Sequence, residues 1–158
     1  MEKFNFDKED CRHYIGLLQT NINRMAANSA NCKTWLTGII TASIALAVKD
    51  APEKLNLIFL VNIAFVLLFY FLDSFYLGLE KRFILLEKKF IGLLKSNMDF
   101  DKDIYVLSPR NMGSDRKYTW KGMKSYSTWP FYLALLIIVI ALYCFFSMKI
   151  SDLYTLSL

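Results

Sequence analysis

Residues 129–148 run for about twenty positions without a charged side chain, the length a helix needs to cross roughly 30 Å of hydrocarbon. Residues 57–79 are as long, with Asp73 as their only charge. Residues 34–48 form a shorter apolar block that contains Thr34, Thr37, Gly38, Thr41 and Ser43. Length alone would suit a buried soluble helix here, but the block pairs with the next one across a tight turn, so a short membrane helix is expected. Apolar residues make up 55% of the 158 positions. A soluble domain of this size would struggle to bury so much apolar surface collected into long blocks, and the length leaves room for one domain, residues 1–158.

The expected fold class is an all-α integral membrane protein with three transmembrane helices, at 34–48, 55–79 and 129–148. The first two form a long hairpin that extends into the cytoplasm. Residues 7–48 read as one helix that starts in the cytoplasm, and 1–33 are assigned as the cytoplasmic N-terminal helix region. Ile15, Leu18, Ile22, Met25, Ser29, Cys32, Leu36 and Ile39 recur at alternating steps of three and four, which is a heptad seam. Pro52 and its polar neighbours make the turn. A second helix follows over 55–95. In its cytoplasmic extension, assigned to 80–98, Phe83, Leu86, Phe90 and Leu93 continue an apolar face from Leu79. At about 1.5 Å per residue, each extension adds tens of ångströms.

The segment 99–128 is expected to be mixed and less regular. Ser108–Asn111 and Gly113–Asp115 are turn signals, and Tyr105, Val106 and Leu107 have no partner strand and are expected to stay loop. Trp129-Pro130 opens the third span, since Pro suits the first turn of a helix. Trp120, Tyr126 and Trp129 fit an aromatic belt at the membrane surface.

Orientation follows from the cations. Of the nineteen Lys and Arg, all but Lys49, Lys54 and Lys149 fall on one side of the three spans. The positive-inside rule makes that side cytoplasmic. The expectation is a multi-pass protein of the bacterial inner membrane with its N-terminus inside and its C-terminus outside. The first apolar block begins more than thirty residues in and lacks the features of a secretory leader, so insertion is expected to use the membrane helices themselves. Cys11, Cys32 and Cys144 have no paired spacing, which argues for reduced, structural thiols rather than a disulfide framework or a zinc site.

Enzymatic signals are nearly absent. The single histidine, His13, has Cys11 nearby but no carboxylate constellation, and a nucleophile needs a placed base and an orienting third group. No phosphate loop, metal-ligand cluster or dinucleotide fingerprint occurs. A binding or channel protein is expected, with no catalytic residues, no cofactor and no metal.

Three sets of residues carry the functional reading. Asn62, Asp73, Glu80 and Glu87 fall on a narrow stripe at helical spacing. Folding the hairpin about Pro52 brings Glu80 near Arg24, and Asp73 near Lys33 and Asn31. Ionisable groups at membrane depth are costly and face protein or water, so these pairs either lock the hairpin or switch partners during gating. Asn23, Thr34, Thr37 and Thr41, with Ala27 and Ala30, make a second stripe of small or polar side chains. It suits a close helix–helix contact or the lining of a passage formed by several copies. Arg110, Arg116, Lys117, Lys121 and Lys124, interleaved with Tyr118 and Trp120, form a ligand-binding candidate. Cations beside aromatics hold phosphates and stack bases, and they also hold anionic lipid.

Two stretches carry a family resemblance. One is Asn23-Arg24-Met25-Ala26-Ala27-Asn28-Ser29-Ala30-Asn31-Cys32-Lys33-Thr34-Trp35 before the first span. The other is Phe71-Leu72-Asp73-Ser74-Phe75-Tyr76-Leu77-Gly78-Leu79-Glu80 at the end of the second. Over roughly residues 10–90 the pattern resembles small bacterial inner-membrane proteins of the RipA-like octameric family and the membrane effectors of nucleotide-signalling antiphage systems, the Hailong type above all. The resemblance implies a homo-oligomeric channel that depolarises the membrane when released. It implies a cognate nucleotidyltransferase as partner, whose product, single-stranded oligodeoxyadenylate, holds the channel closed. It also implies an N-terminal plug, which residues 1–10 would contribute. The alternative reading is a non-conducting membrane scaffold that recruits a cytoplasmic partner.

Overall fold

The computed structural model describes residues 8–50, 54–96 and 109–156. The expected turn residue Pro52, most of the expected plug, and the loop at Tyr105, Val106 and Leu107 lie outside the described residues. The described chain is all-helical. It consists of α1 (Lys8–Asp50), α2 (Leu55–Ser96), a 3-10 turn (Pro109–Met112), α3 (Asp115–Met123) and α4 (Trp129–Leu156). The bounds of α1 and α2 follow the apolar periodicity closely. Helix α4 outruns the expected span by eight residues at its C-terminal end, because nothing in 149–156 forbids helix.

Within the expected mixed segment 99–128 the structure describes residues 109–128, nine of which form α3. Gly113 takes φ 119°, a backbone conformation that favours glycine, and so turns the chain out of the 3-10 turn. Asp115 then sits in the first helical turn, where a carboxylate suits the exposed N–H groups.

The packing forms two compact units, Met1–Ser29 with Ser74–Gly122, and Ala30–Asp73 with Met123–Leu158. In the first unit, Tyr14, Leu18 and Met25 of α1 meet Phe83, Leu86 and Phe90 of α2 in one buried cluster. The Tyr14 and Phe90 rings lie 4.6 Å apart. Ile15 and Ile22 of the heptad seam pack against the edge of this cluster, and Tyr14 takes a central place that the seam did not predict. Burying a side chain such as Phe90 is worth about 1.5–3 kcal/mol relative to leaving it exposed.

In this unit α3 lies against α2 at very short range. A Cβ on Gly122 would collide with the Ser74 carbonyl oxygen, and one on Gly78 would meet the Thr119 backbone nitrogen at 2.9 Å. Ser74 and Gly78 stand one helical turn apart, a small-xxx-small arrangement that lets two backbones approach.

In the second unit, Cys32, Leu36 and Ile40 of α1, Val66 and Phe69 of α2, and Tyr132, Leu135 and Val139 of α4 are buried. The outer surfaces of α2 and α4 are strongly apolar, with Leu60, Leu67, Leu68, Ile137, Ile138 and Phe145 all exposed. Among the described residues two helices are long and apolar enough to cross a membrane, Leu55–Leu94 and Trp129–Lys149, each with a mean hydropathy of 2.5. Only 11% and 17% of their apolar windows are buried, which is the reverse of a soluble core helix. Helix α1 does not share this property, so the structure bears out two of the three expected spans by length and composition.

The α2–α3 contact yields a prediction with an internal control. Gly122→Ala should destabilise the protein by about 1–3 kcal/mol, because the Ser74 carbonyl leaves no room for a methyl group. Gly92→Ala, where a Cβ meets nothing within 4 Å, should be neutral or stabilising by up to about 1 kcal/mol through helix propensity. Thermal unfolding in detergent, followed by circular dichroism, separates the two. Equal midpoints would show that α3 does not depend on this approach.

Candidate functional site

Helix α2 carries a ladder of polar groups through the apolar second unit, and each has a partner. Tyr143 Oη donates to Asn56 Oδ1 at 2.7 Å. Ser43 Oγ and Asn62 Oδ1 are 2.7 Å apart, with Asn62 almost fully buried. Tyr132 Oη donates to the Phe69 carbonyl at 3.1 Å, and Tyr70 Oη to the Met123 carbonyl at 3.0 Å. At the end of the ladder Lys33 Nζ lies 3.0 Å from Asp73 Oδ2. The Asp73 side chain has no exposed surface and that of Lys33 keeps 20%, so the carboxylate is sealed in while the ammonium still reaches the edge.

The expected pairing of Arg24 with Glu80 does not form. Arg24 instead donates to Asn21 Oδ1 one turn earlier on α1, at 3.2 Å. The physical reason is register. In the first unit Gln19 Nε2 donates to Glu87 Oε1 at 3.2 Å, and moving two turns along both antiparallel helices from that pair puts Glu80 opposite Ala26. Glu80 is half-buried. Burial raises its carboxyl above the usual range, and the neighbouring Lys81 opposes that rise.

The stripe of Asn23, Thr34, Thr37 and Thr41 is exposed along α1. Its hydroxyls turn back onto their own helix. Thr34 Oγ1 donates to the Ala30 carbonyl at 3.3 Å, Thr37 Oγ1 to that of Lys33 at 2.7 Å, and Thr41 Oγ1 to that of Thr37 at 2.8 Å. Each hydroxyl therefore has an acceptor whether the face is wet or dry.

Arg110, Arg116, Lys117, Trp120 and Lys121 are all exposed. Tyr118 is not equally available. Its ring packs where a Cβ on Gly113 would stand, and Lys121 Nζ lies 5.2 Å from the ring centroid. The residue that organises the segment is Arg82, which lay outside the sequence-derived candidates. It is buried on α2, its Nε donates to the Pro109 carbonyl at 3.0 Å, and its guanidinium pairs with Asp115. Burial lowers the guanidinium from its ordinary value; Tyr118 acts against this and Arg110 with it. A legible signal existed in the small pair Ser74 and Gly78, which marks a face of α2 reserved for another backbone.

His13 is exposed on α1 and Cys11 half-buried. An open groove of about 910 Å³ runs past Lys8, Arg12, His13 and Gly16, but α1 alone lines it. Among the described residues no His, Cys, Asp and Glu side chains converge as a metal-binding group. Comparison with protein-family models, curated proteins and solved structures finds no match to this chain.

The Lys33–Asp73 pair predicts a recoverable defect. Lys33→Met leaves a sealed carboxylate without its cation and should cost about 3–5 kcal/mol. Lys33→Met combined with Asp73→Leu removes both charges and should restore most of the lost stability. Chemical unfolding in detergent measures both. A double variant no more stable than the single one would mean that Asp73 is held by groups other than Lys33.

Proposed function

We propose that this chain is the subunit of a homo-oligomeric channel of the bacterial inner membrane, crossing it three times. Its N-terminus and basic segment lie in the cytoplasm, as the distribution of cations favours. The reading rests on one observation about α1. Its contacts Lys33–Asp73 and Ser43–Asn62 set residues 33–43 alongside residues 62–73 of α2, within the apolar stretch of a helix suited to crossing a membrane. A segment held there shares the depth of its partner, which supports a third span at 34–48 despite its polarity.

The polarity then calls for a cover. The inner face of this segment is filled by Cys32, Leu36 and Ile40, while Thr34, Thr37, Gly38 and Thr41 face outward. That outward face matches lipid poorly beside the Leu- and Ile-rich surfaces of α2 and α4. Several copies arranged with this face toward a common axis would give it water or a neighbouring copy in place of lipid. Opening is controlled from the cytoplasm by a nucleotide-type ligand and depolarises the membrane in antiphage defence, as the resemblance to nucleotide-signalling effectors implies. The back-bonded hydroxyls also suit a dry contact, and this observation favours the scaffold as second reading.

Thr37→Leu separates the two. In a channel, a bulky apolar side chain at the constriction favours dewetting, so ion flux into liposomes should fall while the oligomer, measured by cross-linking, stays intact. In a dry seam the same change overpacks the contact, and assembly should weaken by about 1–3 kcal/mol. Loss of flux in step with loss of the oligomer would reject the pore-lining role.

A further inference from the structure

We propose that α3 is a lipid-docking helix, whose exposed cations and Trp120 hold the anionic phospholipid headgroups of the leaflet that α4 enters. The proposal rests on reading α2 and α4 as membrane spans and is independent of whether the oligomer conducts.

The two faces of α3 have separate tasks. At about 100° per residue, Arg116, Trp120, Lys117 and Lys121 fall within an arc of about 140°. All four are exposed, and Trp120 keeps 60% of its surface. The opposite arc carries Asp115, Tyr118, Thr119 and Gly122. Gly122 and Thr119 approach the backbone of α2, and Asp115 pairs with the buried Arg82. The only carboxylate of the helix pairs with Arg82, its side chain staying 67% exposed, and it lies off the arc that carries the cations. Two glycine contacts and the arginine latch hold the helix on α2, so the cationic side keeps its outward direction.

Position favours a bilayer as the occupant. Helix α3 ends at Met123, whose carbonyl accepts the hydrogen bond from Tyr70 on the apolar stretch of α2. The chain then enters α4 at Trp129, after only five intervening residues. Tyr126 in that link is 87% exposed and Trp129 is 41% exposed. Amphipathic rings of this kind settle at the headgroup level. Cations that precede such a link in the chain attract the anionic lipids of a cytoplasmic leaflet.

Shape favours it over an oligonucleotide. Base stacking needs a slot or a free ring platform. The cleft between α3 and α2, lined by Gly78, Leu79, Arg82 and Tyr118 among others, is closed even to water. Tyr118 is occupied by Gly113 on one side and Lys121 on another. What remains outside is one exposed indole, Trp120, with Arg116, Lys117 and Lys121 around it, a set that suits a layer of lipid phosphates.

Brominated lipids, which quench nearby indoles, test this in the full-length protein reconstituted in mixed phosphatidylcholine–phosphatidylglycerol nanodiscs. The emission lost from Trp120, read as wild type minus Trp120→Phe, should be larger when the bromine is on phosphatidylglycerol than on phosphatidylcholine. Each cation removed from the set Arg116, Lys117 and Lys121, as Gln, should lower that preference about five-fold. Quenching of Trp129, read with Trp129→Phe, should persist in every variant and reports that the protein is folded in the bilayer. If Trp129 is quenched but Trp120 shows no preference for phosphatidylglycerol, the proposal is overturned and the membrane reading stands. If neither indole is quenched, both fail. Binding of a single-stranded oligodeoxynucleotide in phosphatidylcholine-only nanodiscs that is lost in Trp120→Phe, with no phosphatidylglycerol preference, would assign this face to nucleic acid instead.

Discussion

A carboxylate sealed inside an apolar bundle tolerates few arrangements. Asp73 has no exposed surface, and moving an ion from water into such surroundings costs several kcal/mol unless a counter-charge comes with it. Lys33 supplies that charge from α1, which ties the sliding register of α1 on α2 to a single ionic contact. The rest of the second unit is consistent with that register. Ser43 meets Asn62 at hydrogen-bond distance, and Cys32, Leu36 and Ile40 fill the inner face. A shift by one residue would carry Lys33 about 100° around its helix and leave the carboxylate without its counter-charge. Apolar contacts between long helices are permissive about register, because one Leu packs nearly as well as its neighbour. Buried charge and hydrogen bonding are not.

The first unit achieves specificity by a different route. Its α1–α2 core of aromatic and aliphatic side chains is generic, but the docking of α3 is not. Ser74, Gly78 and Gly122 bring two backbones within the radius of a single methyl group, and Arg82 reaches past them to the Pro109 carbonyl and Asp115. Close approach yields dense dispersion contacts, and the guanidinium satisfies a carbonyl that the turn would otherwise leave buried. The combination turns a short, polar helix into a rigid part of the protein. Nine residues of this composition would not stay helical in isolation.

Function then depends on which surfaces are left uncovered. The exposed Leu and Ile of α2 and α4 suit lipid, and the back-bonded threonines of α1 suit either water or another copy. The outer face of α3 suits phosphate. The buried polar groups between α1 and α2 serve one another, Lys33 with Asp73 and Ser43 with Asn62. Such a distribution suits the proposed membrane assembly. The proposed roles of α1 and α3 follow from it.

Much of this was legible in the chain. The uncharged stretch 129–148 and the run 57–79 required long apolar helices, because no other regular structure suits that many consecutive apolar residues. The heptad positions from Ile15 to Ile39 identified the inner face of α1 before any partner was known. Helical spacing, with a turn expected at Pro52, likewise placed Asp73 near Lys33 and Asn31, and the structure pairs it with Lys33. Tertiary structure alone decided the rest. Glu80 missed Arg24 because a register error of two residues, invisible to periodicity, moves a side chain more than halfway around its helix. Helix α3 was hidden because its stability comes from Gly78, Gly122 and Arg82, residues distant in sequence whose individual propensities say nothing of a shared contact. Periodicity is a local property and can be read along the chain. Close backbone approach and the pairing of buried charge depend on where two distant segments meet, and only the folded protein sets that.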